Sequence, residues 1–162
     1  MRMQIIAALV SLVATGAFAQ DVKRHPIPNS TFPIARAVEV PGGLTTVYVS
    51  GMVPPLVDDK ADKNSADAYG STETQTVGVI KIIEATLKDI GLTLGDVVKM
   101  QVFLVGDPRM GGKMDFAGFM KGYTQFFGTP AQPNLPARSA MQIAGLINPG
   151  WLVEIEVTAV RK

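Results

Sequence analysis

Two side chains in the last quarter of the sequence have the chemistry of a small-molecule site. Arg138, in the run Pro136-Ala137-Arg138-Ser139, carries a planar fork of donors that matches a carboxylate in bidentate fashion, which a lysine cannot reproduce. Glu154, in Leu152-Val153-Glu154-Ile155-Glu156-Val157, is a carboxylate able to orient a water or take a proton from it. Each has a plainer use. A strand arginine is commonly solvated or held in a structural ion pair, and carboxylates commonly lie on a solvated sheet face. Spacing alone leaves both readings open.

Strands must position the two groups. Arg138 precedes Ser139-Ala140-Met141-Gln142-Ile143-Ala144, a period-2 run that suits a half-buried strand, and Pro136 blocks a helix before it. Residues 151–160 alternate. Trp151, Val153, Ile155, Val157 and Ala159 point one way, and Leu152, Glu154, Glu156 and Thr158 the other. The first set is a core face. The second places two carboxylates roughly 7 Å apart along one strand.

Composition narrows the chemistry. The chain has no cysteine, hence no disulfide, thiolate nucleophile or thiolate metal site. Its one histidine, His25, falls in residues 20–31, a polar stretch with Pro26 and Pro28 that reads as a flexible arm. That leaves no Ser-His-Asp triad and no histidine zinc site. Met1-Arg2-Met3-Gln4 is a short positive start, residues 5–13 are mostly apolar, and Ala17-Phe18-Ala19 is an A-x-A site. Residues 1–19 therefore read as a signal peptide, since the apolar run is too short to span a membrane and stay. The expectation is a secreted protein, periplasmic in a bacterium, with no stable membrane anchor and a mature chain of roughly 143 residues, one domain's worth. Loss of Arg2 would turn 15 basic residues into 14, against 14 acidic ones. A near-neutral chain lacks the basic excess of a nucleic-acid binder.

Upstream, residues 35–40 and 45–50 read as strands joined by Pro41-Gly42-Gly43 in a hairpin-type turn. Residues 57–70 are a charged loop. Thr72-Glu73-Thr74-Gln75 reads as a capping box, followed at helical spacing by Thr76, Val79, Ile80, Ile83, Leu87 and Ile90, with Gly91 as the stop. Residues 96–105 alternate as a third strand. Residues 106–113 form a Gly-rich loop without a phosphate-loop signature, which reads as an insertion. Phe116, Phe119, Met120, Tyr123 and Phe127 make the stripe of a second helix. In it Gly118 and Gly122 allow close backbone packing, and Gly128 and Pro130 end it. The order is β-β-α-β-α-β-β, an α+β single domain over residues 32–162 with two helices on one face of a mixed sheet.

These residues together resemble the reactive-intermediate deaminase family, RidA (also called YjgF/UK114). The resemblance is carried by Pro-Ala-Arg-Ser at 136–139, Val-Glu-Ile-Glu-Val at 153–157, Tyr48-Val49-Ser50-Gly51-Met52-Val53-Pro54, the strand at 96–103 and the helix at 116–127. It implies a chorismate-mutase-like fold and a homotrimer with its sheets facing inward and ligand clefts between subunits. It also implies hydrolysis of imines or enamines of 2-oxo acids, of the 2-iminopropanoate/2-iminobutanoate type, to the 2-oxo acid and ammonia. In that scheme Arg138 binds the carboxylate, Glu154 activates water as the catalytic group, Ser50 hydrogen-bonds substrate and the backbone near Ala140 holds the nitrogen. No cofactor or metal is implied. The sequence departs from the family pattern where a tyrosine and an asparagine become Ile34 and Met120, and where a frequent cysteine becomes Ala140. The competing reading is a non-catalytic periplasmic trimer that binds small carboxylates.

Overall fold

The first helix shows how local pattern becomes core. α1 spans Thr72–Asp89 and buries Gln75, Thr76, Val79, Ile80, Ile83 and Leu87 along one side. Its cap is Ser71, whose hydroxyl accepts from the Thr74 backbone N–H at 3.2 Å. The expected box one residue later does not form. Thr72 is buried in the first turn, and the Gln75 amide is drawn away to Gly150 O (3.0 Å) and Leu152 N (2.7 Å). Those bonds tie α1 to the turn before the last strand, so a buried amide is fully used rather than orphaned. Gly91, at φ 75°, lets the chain leave the helix.

α2 spans Phe116–Tyr123, capped by Asp115, and ends one turn earlier than the aromatic spacing predicts. Phe127 lies past the helix end yet stays buried, stacked on Tyr123 at 4.9 Å. Gly122 is where the two helices touch. A Cβ there would lie 2.8 Å from Thr76 Cβ and 3.0 Å from Glu73 O. Gly118 plays a different part from the one expected, since it faces its own cap, Asp115.

The structure is a computed structural model that describes residues 21–162; the signal peptide read at 1–19 lies outside the described residues. The strands are β1 (Lys23–Pro26), β2 (Ala35–Glu39), β3 (Thr45–Met52), β4 (Val97–Val105), β5 (Ala137–Ile143) and β6 (Val153–Arg161). They form one six-stranded mixed sheet in the order β1-β2-β5-β4-β6-β3. β4 is central, parallel to β5 and antiparallel to β6, and β3 closes the far edge antiparallel to β6. The core lies between this sheet and the two helices. It includes Val102, Leu104, Val153 and Ile155 from the strands and Ile80, Ile83, Phe119 and Tyr123 from the helices.

Two expectations fail at the N-terminal end. Residues 35–40 and 45–50 are strands, but they do not pair as a hairpin: β2 and β3 lie at opposite sides of the sheet. β3 instead takes β6 as its partner. β2 takes β1, a strand inside the stretch read as a flexible arm. The β1–β2 ribbon meets β5 at the single pair Ala35–Ala137. It crosses the foot of the sheet, where Arg24 on β1 donates to Gly95 O (2.9 Å) and Val97 O (3.3 Å). His25, on the same strand, reaches Glu39 Oε1 at 2.5 Å and so has a structural partner.

Candidate functional site

Strand register decides where each candidate side chain goes. In paired strands, residues directly opposite share a face. Arg138 is opposite Met100, which is fully buried, and Ala140 is opposite Val102, also fully buried. Arg138 and Ala140 therefore face the helices. Glu154 is opposite Phe103, and Glu156 is opposite Gln101, on the other face. Ser50 follows the buried Val49 on β3, where the ladder shifts register between Val49 and Met52. It too belongs to the open face. Within one chain the sheet separates the four candidates into two pairs and does not bring Arg138 to Glu154.

The helix-side half is an arginine in an aromatic box. Its guanidinium carbon lies 4.3 Å from the Tyr123 ring centre, 4.9 Å from Phe119, 5.6 Å from Phe32 and 6.0 Å from Phe116. Cation–π attraction to several rings partly replaces lost water. Nη2 donates to Met120 Sδ at 3.2 Å, a weak acceptor, and Nη1 is buried with no partner. Among the described residues no carboxylate lies within ion-pair distance of Arg138. Burial pushes its pKa down from the ordinary value, and the charge of Tyr123's ionised form would oppose that. Tyr123 is pushed up to about 12 by burial, against the pull of Arg138. Its hydroxyl donates to Pro33 O at 3.0 Å. Arginine does not give up its proton, so this cation has to find a counter-charge or stay under-satisfied.

The open-face half is polar, with two hydrogen bonds between its side chains. Gln101 Nε2 donates to Glu156 Oε2 at 3.1 Å, and Lys99 Nζ approaches Ser139 Oγ at 3.4 Å. Tyr48, Ser50, Lys99, Gln101, Glu156 and Thr158 line a shallow hollow of about 380 Å³. Glu154 sits just beyond it, against the backbone of Gly51: a Cβ on Gly51 would fall 2.0 Å from Glu154 Oε1. Glycine is what lets this carboxylate lie flat on β3. Neither Gly51 nor Phe32 was foreseen as part of the site, whereas Met120, marked in the sequence as a departure from the family pattern, does meet Arg138. The spacing of Phe116, Phe119, Met120 and Tyr123 announces core, and their contact with an arginine depends on strand register across the sheet.

The loop at 106–113 is more than a tolerated insertion. Asp107, with its side chain only 5% exposed, accepts from Arg109 Nε at 2.9 Å and pairs with Arg109 Nη2 at 2.9 Å. Gln142 on β5 holds the loop from the other side through Gly112 O and Met114 N, each at 3.0 Å. The Arg109 hydrogen bond holds the Asp107 carboxyl below its ordinary pKa, and Arg109 is correspondingly raised.

The profile of the family described as Endoribonuclease L-PSP matches residues 28–161. A RutC family protein of Haemophilus influenzae is 35% identical over 143 residues, covering 88% of this chain and 98% of that one. The chain belongs to the RidA/YjgF family. An Escherichia coli relative in the RidA/YjgF family, named "Putative reactive intermediate deaminase TdcF", is 31% identical over 140 residues, 86% of this chain and 95% of its own. A crystal structure of E. coli TdcF with bound serine superposes with a TM-score of 0.56 at 26% identity, covering 88% of this chain and 99% of that one. The Rid family protein YyfB of Yersinia pestis shares the fold at a TM-score of 0.66 and 20% identity, over 88% of this chain and 100% of its own.

Proposed function

We propose that the protein hydrolyses imines or enamines of 2-oxo acids to the 2-oxo acid and ammonia. The observation that carries this reading is Arg138, a cation held in an aromatic box with an unpartnered donor and, among the described residues, no carboxylate within ion-pair distance. A substrate carboxylate would supply the missing charge and fix the orientation of the reacting carbon. The name of the TdcF relative points to the same chemistry.

In this mechanism Arg138 holds the carboxylate. A water oriented by Glu154 adds to the imine carbon, and Glu154 takes its proton as the C–O bond forms. The nitrogen of the resulting amino alcohol takes that proton back from Glu154, the hydroxyl gives up its own proton as the C=O bond forms, and the C–N bond breaks to release ammonia. The iminium carbon is already electrophilic, so positioning and one base suffice. Because Arg138 and Glu154 face opposite sides of one sheet, a cleft that uses both must be built between chains. It would pair Arg138 of one subunit with Glu154 of the partner subunit, in the trimer that the family resemblance implies. Beyond Ala137 the outer edge of β5 has no strand partner, so backbone groups near Ala140 are open to a ligand or a neighbouring chain. Ser50 would enter from the same side as Glu154. The signal peptide read at 1–19 makes export part of the proposal, checked by fractionating cells that express the full chain.

The test is release of ammonia from imines generated in place by an amino-acid oxidase. Accelerated release by the wild-type protein, lost in Arg138→Ala, is expected. No acceleration on any imine by a correctly folded protein would overturn the hydrolase reading. The serine in the TdcF crystal favours one second reading, capture of a small carboxylate without turnover. In that case Glu154→Gln leaves ligand binding intact and there is no catalysis to lose.

A further inference from the structure

The residues beside the Arg138 guanidinium decide what else a bound carboxylate can carry. Phe119 and Tyr123 are fully buried and form the floor. Phe32, 39% exposed, and the part-buried Phe116 and Met120 keep outward surface next to the same guanidinium. None of these three offers a donor or a strong acceptor. The one hydroxyl on this wall, that of Tyr123, is already given to Pro33 O. A carboxylate bound in bidentate fashion places its carbon about 4 Å from the guanidinium carbon, with the α-carbon one bond further out. The Phe32 and Phe116 ring centres, 5.6 and 6.0 Å from that guanidinium carbon, border the space around it.

Resting on the hydrolase reading above, we propose that Met120, flanked by Phe32 and Phe116, selects the substrate side chain. The substrate class is then 2-imino acids with a branched aliphatic or aromatic side chain, rather than the small 2-iminopropanoate. A thioether is flexible and polarisable, so it closes around irregular apolar groups. A hydroxyl or second carboxylate on the ligand would leave water without gaining a partner. Each methylene added in such a pocket is worth about tenfold or more in discrimination.

Two readouts test this. The first is calorimetric binding of pyruvate, hydroxypyruvate, 4-methyl-2-oxopentanoate and phenylpyruvate, which needs no turnover. The second is ammonia release from imines made by an amino-acid oxidase from alanine, leucine and phenylalanine. The branched and aromatic ligands are expected to exceed the small and hydroxylated ones about tenfold or more in both. Met120→Leu should keep that order, and Met120→Asn should compress it to within about threefold by giving polar ligands a partner. Pyruvate binding as tightly as 4-methyl-2-oxopentanoate, or an order unmoved by Met120→Asn in a folded protein, would overturn the assignment of Met120. Ranked binding with no hydrolysis would leave the selectivity standing and remove the hydrolase reading. Hydrolysis without rank would do the reverse.

Discussion

The two faces of the sheet treat charge in opposite ways. On the open face, Glu156 has Gln101, Lys99 has Ser139, and water reaches all of them. Such groups cost little to fold and say little about function. On the helix face, Arg138 is surrounded by four rings and a thioether and keeps one buried donor without a partner. Holding a part-buried cation this way costs free energy that no ion pair among the described residues offsets. Asp107 sharpens the contrast. It is more deeply buried than the part-buried Arg138, yet Arg109 satisfies it from two residues away. A buried charge with its partner belongs to the scaffold, and one without points to a ligand.

The largest expected effect follows from that difference. Arg138→Met keeps the volume and removes the uncompensated charge. Thermal unfolding should show stability unchanged or raised by about 1 kcal/mol. Carboxylate binding should fall by about a hundredfold, since charge-assisted hydrogen bonds are lost. A variant that unfolds instead would make Arg138 a scaffold residue and erase the contrast.

Gly51→Ala comes next. The new methyl would displace the Glu154 carboxylate, which is the far end of a flexible side chain, so stability should drop by only about 1 kcal/mol. The rate of imine hydrolysis should fall about tenfold or more, because a base moved by an ångström no longer meets its water. Carboxylate affinity should hold. Equal rates in wild type and variant would detach Glu154 from the chemistry.

Asp107→Asn should cost about 1–2 kcal/mol, toward the lower end because Arg109 is half exposed. Its pH dependence has a defined sign. The folded-state pKa lies below the ordinary 3.8, so the stabilisation is complete above 3.8 and disappears as pH falls through the lower folded value. Acid unfolding of the wild type should therefore include a component in that window that the asparagine variant lacks. Identical acid profiles would contradict it. Gln101→Ala should do least, about 0.5 kcal/mol, with hydrolysis unchanged.

Legibility in the sequence tracked how local each decision was. The alternation read at 151–160 holds from Val153 onward, while Leu152, expected beside the carboxylates, is buried in the core just before the strand begins; the stripe of α1 was readable because burial repeats with the period of the helix itself. The supposed hairpin at 35–50 was not. A Pro-Gly-Gly turn between two strands is a local signal, whereas the edge that β3 joins is set by β6, more than a hundred residues on. β1 escaped notice because its partner, β2, is itself weakly anchored to the sheet, and a polar run with two prolines carries no strand pattern. At the site, residue types pointed to Arg138 and Glu154 while their faces stayed hidden. Parity along a strand fixes a side chain's face only once its neighbours' register is known. For Arg138 that register runs through Met100.

The central claim is that a working cleft takes Arg138 from one chain and Glu154 from another. Arg138→Ala and Glu154→Gln proteins, each inactive alone, would be unfolded together, refolded as mixed assemblies and assayed for imine hydrolysis. Random mixing should restore about a quarter of the wild-type clefts, and with them about a quarter of the activity. Verified mixed assemblies with no recovered activity would show that the two residues must come from the same chain, and would contradict the account.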